Sequence, residues 1–152
     1  MQELRLQHLC TLDIAVGPIQ AIGAGPQGER RIAEVIGGTF EGPRLRGRIL
    51  PGGGDWILIR PDGVTQLDVR VTLQTDDGAL IYLSYRGLRH GPPEVMERLA
   101  RGEEVPASAY YFRTAPIFET GAAAYLWLNK IIAVGTGYRR PTGPVYTVYE
   151  VL

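Results

Sequence analysis

The chain has 152 residues, enough for one domain to bury a sizeable core without disulfide or metal staples. Its 16 basic and 16 acidic residues give a formal charge of zero. That balance argues against a nucleic-acid partner, whose phosphates call for a net basic surface, and against an anionic membrane surface. The single cysteine, Cys10, excludes an internal disulfide. No apolar run approaches the ~20 residues of a spanning helix, and Met1-Gln-Glu-Leu-Arg-Leu-Gln-His8 offers no signal-peptide core, so a cytoplasmic protein is expected.

The 20 glycines and 11 prolines stand as punctuation between β-branched and aromatic runs, which reads as an all-β chain. Strands are expected over Glu3–Leu9 and Leu12–Ile22. The following Gly23-Ala-Gly25-Pro-Gln-Gly28 fits the G-x-G-x-x-G dinucleotide fingerprint, with Glu41 roughly where a ribose-binding acid would stand. That chemistry needs a strand, a tight turn and a helix inside an α/β unit, and nothing downstream alternates in that way. The segment is read as a glycine-rich loop between strands.

Further strands are expected over Arg31–Phe40, Leu45–Leu50 and Trp56–Arg60. The turn Pro61-Asp62-Gly63 leads into Thr65–Thr75, where Leu67, Val69, Val71 and Leu73 alternate with Asp68, Arg70, Thr72 and Gln74, the period of a strand. Asp77-Gly78 is a strong hairpin signal and joins it to Ala79–Arg86. Pro93–Gly102 reads as a helix, with proline in its first turn and glycine past its end. Strands at Ala109–Phe118 and Val145–Val151 complete the chain. Ala123–Val134 is read as one long buried strand, its Trp, Tyr and Ile content outweighing the helical propensity of its alanines. About eight to ten strands with one short helix point to an all-β closed antiparallel barrel, lipocalin-like or up-and-down, spanning residues 1–152 as a single domain. Closure removes the exposed edges that so many strands would create.

Nucleophilic and metal chemistry are poorly supplied. Ser84 and Ser108 lie outside any G-x-S-x-G, His8 and His90 are far apart, His90 reads as a surface-loop residue, and Cys10 reads as a small buried hydrophobe. Asp55, Asp62, Asp76 and Asp77 would suit a carboxylate-only cation site, but solvated turn aspartates account for the last three. No metal and no cofactor are expected.

Three groups of residues carry more. Pro51-Gly-Gly-Gly54-Asp55-Trp56 sets an acid and a large aromatic directly after a backbone of unusual freedom. Asp68 and Arg70 share one face of a strand. Glu119 precedes Tyr125, Trp127 and Asn129, which as alternate strand residues would share a face. Strand parity leaves two arrangements open. With an apolar interior, Leu67, Val69 and Val71 point in and Asp68–Arg70 is a solvated pair. With a polar-lined cavity, Asp68, Arg70, Tyr82, Glu119, Trp127 and Asn129 converge inside, joined by Tyr111 and Arg113, and the outer apolar stripe needs covering.

The run Gly37-Gly38-x-Phe40-x-Gly42-Pro43-x-Leu45-x-Gly47, with Pro51–Trp56, Leu67–Arg70, Thr75–Gly78, Tyr110–Arg113, Phe118–Gly121 and Tyr125-x-Trp-Leu-Asn129 in order, resembles the DUF3237 (UPF0311) family from about Gly23 to Leu152. The resemblance implies a small antiparallel β-barrel and supplies no function or catalytic residues. It places Asp55, Asp68, Arg70, Glu119 and Asn129 inside signature segments, which favours the polar cavity.

The expected function is a small-molecule barrel doing cofactor-independent acid–base chemistry, such as isomerisation, dehydration, hydration or cyclisation, on a carbonyl- or carboxylate-bearing ligand. Asp55 or Glu119 would move the proton, with Arg70 as third catalytic group. Arg70 and Arg113 would anchor an anionic oxygen. Trp56, Tyr82 and Trp127 would form apolar walls, and Asp68, Tyr111, Tyr125 and Asn129 would complete the ligand contacts. The alternatives are a carrier with the same cavity and no chemistry, or an oligomeric interaction module without a pocket. A homo-oligomer, taken as a dimer, is expected because an outer apolar stripe must be covered.

Overall fold

The computed structural model describes all residues, Met1–Leu152. Nine strands form one antiparallel sheet. In chain order they are β1 (Leu6–Gly25), β2 (Gly28–Glu41), β3 (Arg46–Ile49), β4 (Gly53–Ile59), β5 (Thr65–Thr75), β6 (Leu80–His90), β7 (Tyr111–Glu119), β8 (Ala133–Arg140) and β9 (Gly143–Val151). One α-helix, α1 (Pro93–Ala100), lies between β6 and β7.

The ladders return on themselves. β1 pairs with β9 and β2, β9 with β8, and so on round to β5, which meets β2 through β3 and β4. β3 and β4 share one place in this ring, since both pair with β2 on one side and β5 on the other. Pro51, with no N–H to give a ladder, separates them. The break stays sewn to both neighbours, as the Leu50 N–H donates to Thr72 O at 2.9 Å and the Gly52 N–H to Val35 O at 3.1 Å. The thinnest seam is β7–β8, held by only the pairs Arg113↔Thr136 and Thr114↔Gly135.

Parity follows the hydrophobic pattern. Leu67, Val69, Val71 and Leu73 are buried in the interior, as are Ile81, Leu83 and Tyr85 of β6. A one-residue slip would turn all of them to solvent, so the register is strongly fixed. Each such side chain stabilises the fold by about 1.5–3 kcal/mol through burial. Tyr146 stands at the centre, edge-on to Tyr85 with centroids 5.1 Å apart and to Phe112 at 5.4 Å. Gly137 makes that packing possible, because a Cβ there would sit 2.6 Å from the Phe112 ring.

The two open ends are closed by different means. At the hairpin end, Gly78 turns the chain between β5 and β6 with φ of +89°, a value that glycine adopts without strain. There the segment Ala123–Lys130 forms a 3₁₀-helix and not the expected strand. Asn129 explains why: its Oδ1 accepts the Thr120 N–H and its Nδ2 donates to Thr120 O, both at 2.8 Å. The side chain thereby takes the place of a ladder partner, and buried Leu128 plugs the end. A further strand, β8, begins only at Ala133 and was not foreseen as a separate element. The two strands expected before residue 23 are one, bent by bulges at Ala15/Val16, Val16/Ile19 and Ala21/Gly23. Gly25–Gly28 is the β1–β2 hairpin turn, and the dinucleotide fingerprint has no helix behind it. At the opposite end, α1 lies across the opening with Leu99 buried and Val95 and Met96 packed on the core.

Candidate functional site

The site begins with an interrupted ladder. β4 and β5 pair at Gly54↔Arg70 and Asp55↔Val69, then not again until Leu58↔Gln66. Backbone groups in that gap need other partners. The Asp68 N–H donates to Asp55 Oδ1 at 3.0 Å, and Trp56 O accepts from Arg30 Nη1 at 3.0 Å. The glycines before Asp55 let β4 run close to its neighbours, since a Cβ on Gly53 would fall 2.3 Å from Arg70 O. The result is a carboxyl on the inner wall, 9% exposed.

Around it stand Tyr85, Arg89, Arg139 and Tyr146, which with apolar neighbours line a void of about 20 Å³. That is room for about one water-sized group. Arg89 and Arg139 also line a wider mouth of about 440 Å³ outside it, walled by Ile19, Ile59, Met96 and Leu99. On its lining, Arg31 Nη2 pairs with Glu29 Oε1 at 2.9 Å. The two arginines thus mark the passage between mouth and void.

Burial dominates the electrostatics. It pushes the Asp55 carboxyl up from 3.8 to about 6, against the Asp68 N–H and the charges of Arg89 and Arg139, which pull it down less strongly. Burial, aided by the neighbouring Arg139 charge, pulls Arg89 down to about 10. The Tyr85 and Tyr146 hydroxyls are raised by burial and stay protonated. A carboxyl near 6 exists in both forms around neutral pH, the condition for taking and returning a proton.

Of the residues expected at the site, only Asp55 lies in this cluster. Asp68 and Arg70 are on the outer face, paired at 3.5 Å, and the Arg70 guanidinium lies 5.1 Å over the Trp56 ring. Their inward neighbours are the apolar residues, so the polar lumen is not built from this pair. Tyr82 and Glu119 are exposed and opposite each other on β6 and β7. Tyr111 and Arg113 are also exposed, with the guanidinium 5.0 Å from the ring. Tyr125 donates to Asp77 Oδ1 at 3.0 Å, Trp127 packs half-buried under Arg44 at 4.0 Å, and Asn129 is occupied with Thr120. In a 3₁₀-helix alternate residues point in different directions, so Tyr125, Trp127 and Asn129 share no face. No group of three or more His, Cys, Asp or Glu side chains comes together.

Arg89, Arg139, Tyr85 and Tyr146 were missed. The alternation Ile81, Leu83, Tyr85 continues through Gly87 to Arg89, so extending β6 two steps would have brought Arg89 inside. Arg139 follows Ala133, Gly135 and Gly137 in the same way along β8. The largest concavity, about 650 Å³, is a groove on the outer face past Leu88, Tyr111, Arg113 and Val134, and no carboxylate lines it. The carboxyl raised by burial lies instead behind the smaller mouth.

The family model for a protein of unknown function, DUF3237, matches residues 4–151. The chain belongs to the DUF3237 family. The match reaches some 20 residues nearer the start than the sequence motifs do, taking in β1. A UPF0311 protein of Rhodopseudomonas palustris is 37% identical over 149 residues, covering 98% of this chain and 97% of that protein. The crystal structure of a Rhodopseudomonas palustris protein of unknown function superimposes with a TM-score of 0.96 at 36% identity over the whole of both chains. A β-barrel-like protein from Acinetobacter baumannii gives 0.88 at 39% identity, covering 100% of this chain and 98% of that one. A hydroalkoxylation enzyme of Penicillium herquei is a more distant relative, 26% identical over 132 residues, which cover 86% of this chain and 72% of that enzyme.

Proposed function

We propose that this DUF3237 protein is a cofactor-independent acid–base catalyst that moves a proton on a small organic ligand held at the α1 end of the barrel. The observation that carries the reading is the buried Asp55 carboxyl, raised to about 6, behind two arginines at the floor of a mouth. A reaction in which a proton leaves oxygen and returns to carbon needs no redox partner. Hydroalkoxylation, the activity named for the Penicillium herquei relative, is of this kind: an O–H bond breaks, a C–O and a C–H bond form across a double bond. In this chain Asp55 takes the hydroxyl proton and gives it back to carbon, so protons balance over the cycle. Hydration, dehydration and isomerisation next to a carbonyl use the same pair of steps.

The carrier reading is disfavoured by the packing. A carrier in the manner of lipocalins encloses its ligand in the lumen, and here Val69, Leu83, Phe112 and Tyr146 fill it. The ligand body therefore sits in the mouth.

The test is turnover of a panel of hydroxyalkenes and enones in D₂O. We expect an isomeric product that gains one deuterium on carbon per turnover, and Asp55→Asn to slow it by about 10²–10⁴-fold. Turnover by Asp55→Asn at the native rate, or no turnover across the panel, contradicts the reading.

A further inference from the structure

We propose that Arg89, Arg139 and the Tyr146 hydroxyl form an oxyanion site, and that the ligand is an amphiphilic anion whose charged oxygen enters the void while its apolar body fills the mouth. This rests on the lumen-end site above and names the ligand class it takes.

Unspent donors are the first argument. Arg89 Nε is buried without any hydrogen-bond partner, Tyr146 Oη has none beyond the neighbouring Tyr85 hydroxyl, and neither Arg89 nor Arg139 belongs to any of the molecule's ion pairs. A buried donor left unmatched costs about 1–3 kcal/mol, more when charged, so native structures seldom leave several together. Here the Arg89 and Tyr146 groups line one void together with the Arg139 guanidinium. Arg31, by contrast, has its own carboxylate in Glu29.

Charge is the second. Two guanidinium groups face one carboxyl, Asp55, and Asp68, whose N–H donates to Asp55, turns its carboxylate outward to Arg70. The floor is positive in either state of Asp55, and the Glu29–Arg31 pair on the mouth lining is neutral as a unit. An anion entering the void relieves the mutual repulsion of Arg89 and Arg139 and supplies acceptors for their forks.

Shape is the third. About 20 Å³ admits one oxygen and no ring, whereas about 440 Å³ with Ile19, Ile59, Met96 and Leu99 admits an apolar body. Where a ligand enters with its hydroxyl intact, the charge left on oxygen as Asp55 takes the proton falls on these same donors, where fixed dipoles in a dry site act most strongly. A carboxylate and an ionised phenol share this chemistry.

Calorimetric binding at about pH 8 separates them, with naphthoate against neutral naphthamide and para-nitrophenolate against neutral nitroanisole. We expect at least one anion to bind about tenfold or more tightly than its neutral partner, the ratio that one charge-assisted hydrogen bond supplies. The preferred anion identifies the source of the charged oxygen. Arg139→Gln, checked by thermal unfolding, should bring the ratio towards one without weakening the neutral compound. Arg139→Lys, which keeps the charge and loses the fork, should lower the ratio severalfold, and it serves where the glutamine variant does not fold. Equal affinities in the native protein, an unchanged ratio in the variants, or no anion binding at millimolar concentration overturns the proposal. Charge discrimination without deuterium incorporation would keep the oxyanion site and remove the acid–base reading. Turnover without discrimination would do the reverse.

Discussion

The two ends of this barrel are built from the same alternating strands and finished in opposite ways. At the hairpin end the buried polar side chains have partners: Thr120 donates to Leu80 O at 2.7 Å, Asn129 holds the Thr120 backbone, and Leu128, Phe118 and Phe40 are packed away from water. At the α1 end a raised carboxyl, two arginines outside any ion pair and a tyrosine hydroxyl with no partner beyond Tyr85 are kept inside the wall. The first arrangement stabilises the fold. The second costs stability, and such a cost persists where binding or chemistry uses it.

The largest effect should come from damaging the finished end. Phe118→Ala removes a fully packed ring and should destabilise the protein by about 3–5 kcal/mol, read from the denaturant midpoint. A loss below about 1 kcal/mol would mean that this end is not packed as described.

At the α1 end the sign reverses. Asp55 binds its proton more tightly folded than unfolded, so its contribution is best below pH 3.8, declines between 3.8 and about 6, and is flat above. A shift of about two units corresponds to about 3 kcal/mol. Asn mimics the protonated acid and keeps an acceptor for the Asp68 N–H. Asp55→Asn should therefore match the native protein near pH 4 and exceed it by up to about 3 kcal/mol near pH 8, a Tm gain of several degrees. A variant less stable than the native protein at pH 8 would break the comparison.

Smaller effects sharpen it. Asn129→Ala removes two hydrogen bonds and should cost about 1–2 kcal/mol by thermal unfolding, with naphthoate affinity untouched. Arg70→Ala and Glu119→Gln alter exposed groups on the outer face, and each should change stability by less than about 0.5 kcal/mol. Neither should alter anion binding. A tenfold loss of affinity in Arg70→Ala would return the site to the outer face.

How far these ends could be read from the chain differs by element. β5 and its two flanking turns were legible because period-two alternation and Asp-Gly signals agree there. Asp55 was legible as an acid behind three glycines. The 3₁₀ segment was not, because the reason it leaves the sheet is a contact between Asn129 and Thr120 that propensity does not contain. Asp68, Arg70 and Glu119 drew attention as charges in signature segments, yet parity turns them outward with the same force that turns Leu67 and Val69 inward. Arg89 and Arg139 lie beyond the apolar stretches of β6 and β8, where alternation is carried by glycine and loses its hydrophobic mark.

The most direct test is the titration of the Asp55 carboxyl by carbon-detected NMR, with Asp55→Asn identifying its resonance. The account predicts a midpoint near pH 6 in the free protein, raised further when naphthoate binds, since an added anion favours the neutral acid. A midpoint at or below about 4, the ordinary value for a solvated aspartate, would contradict it.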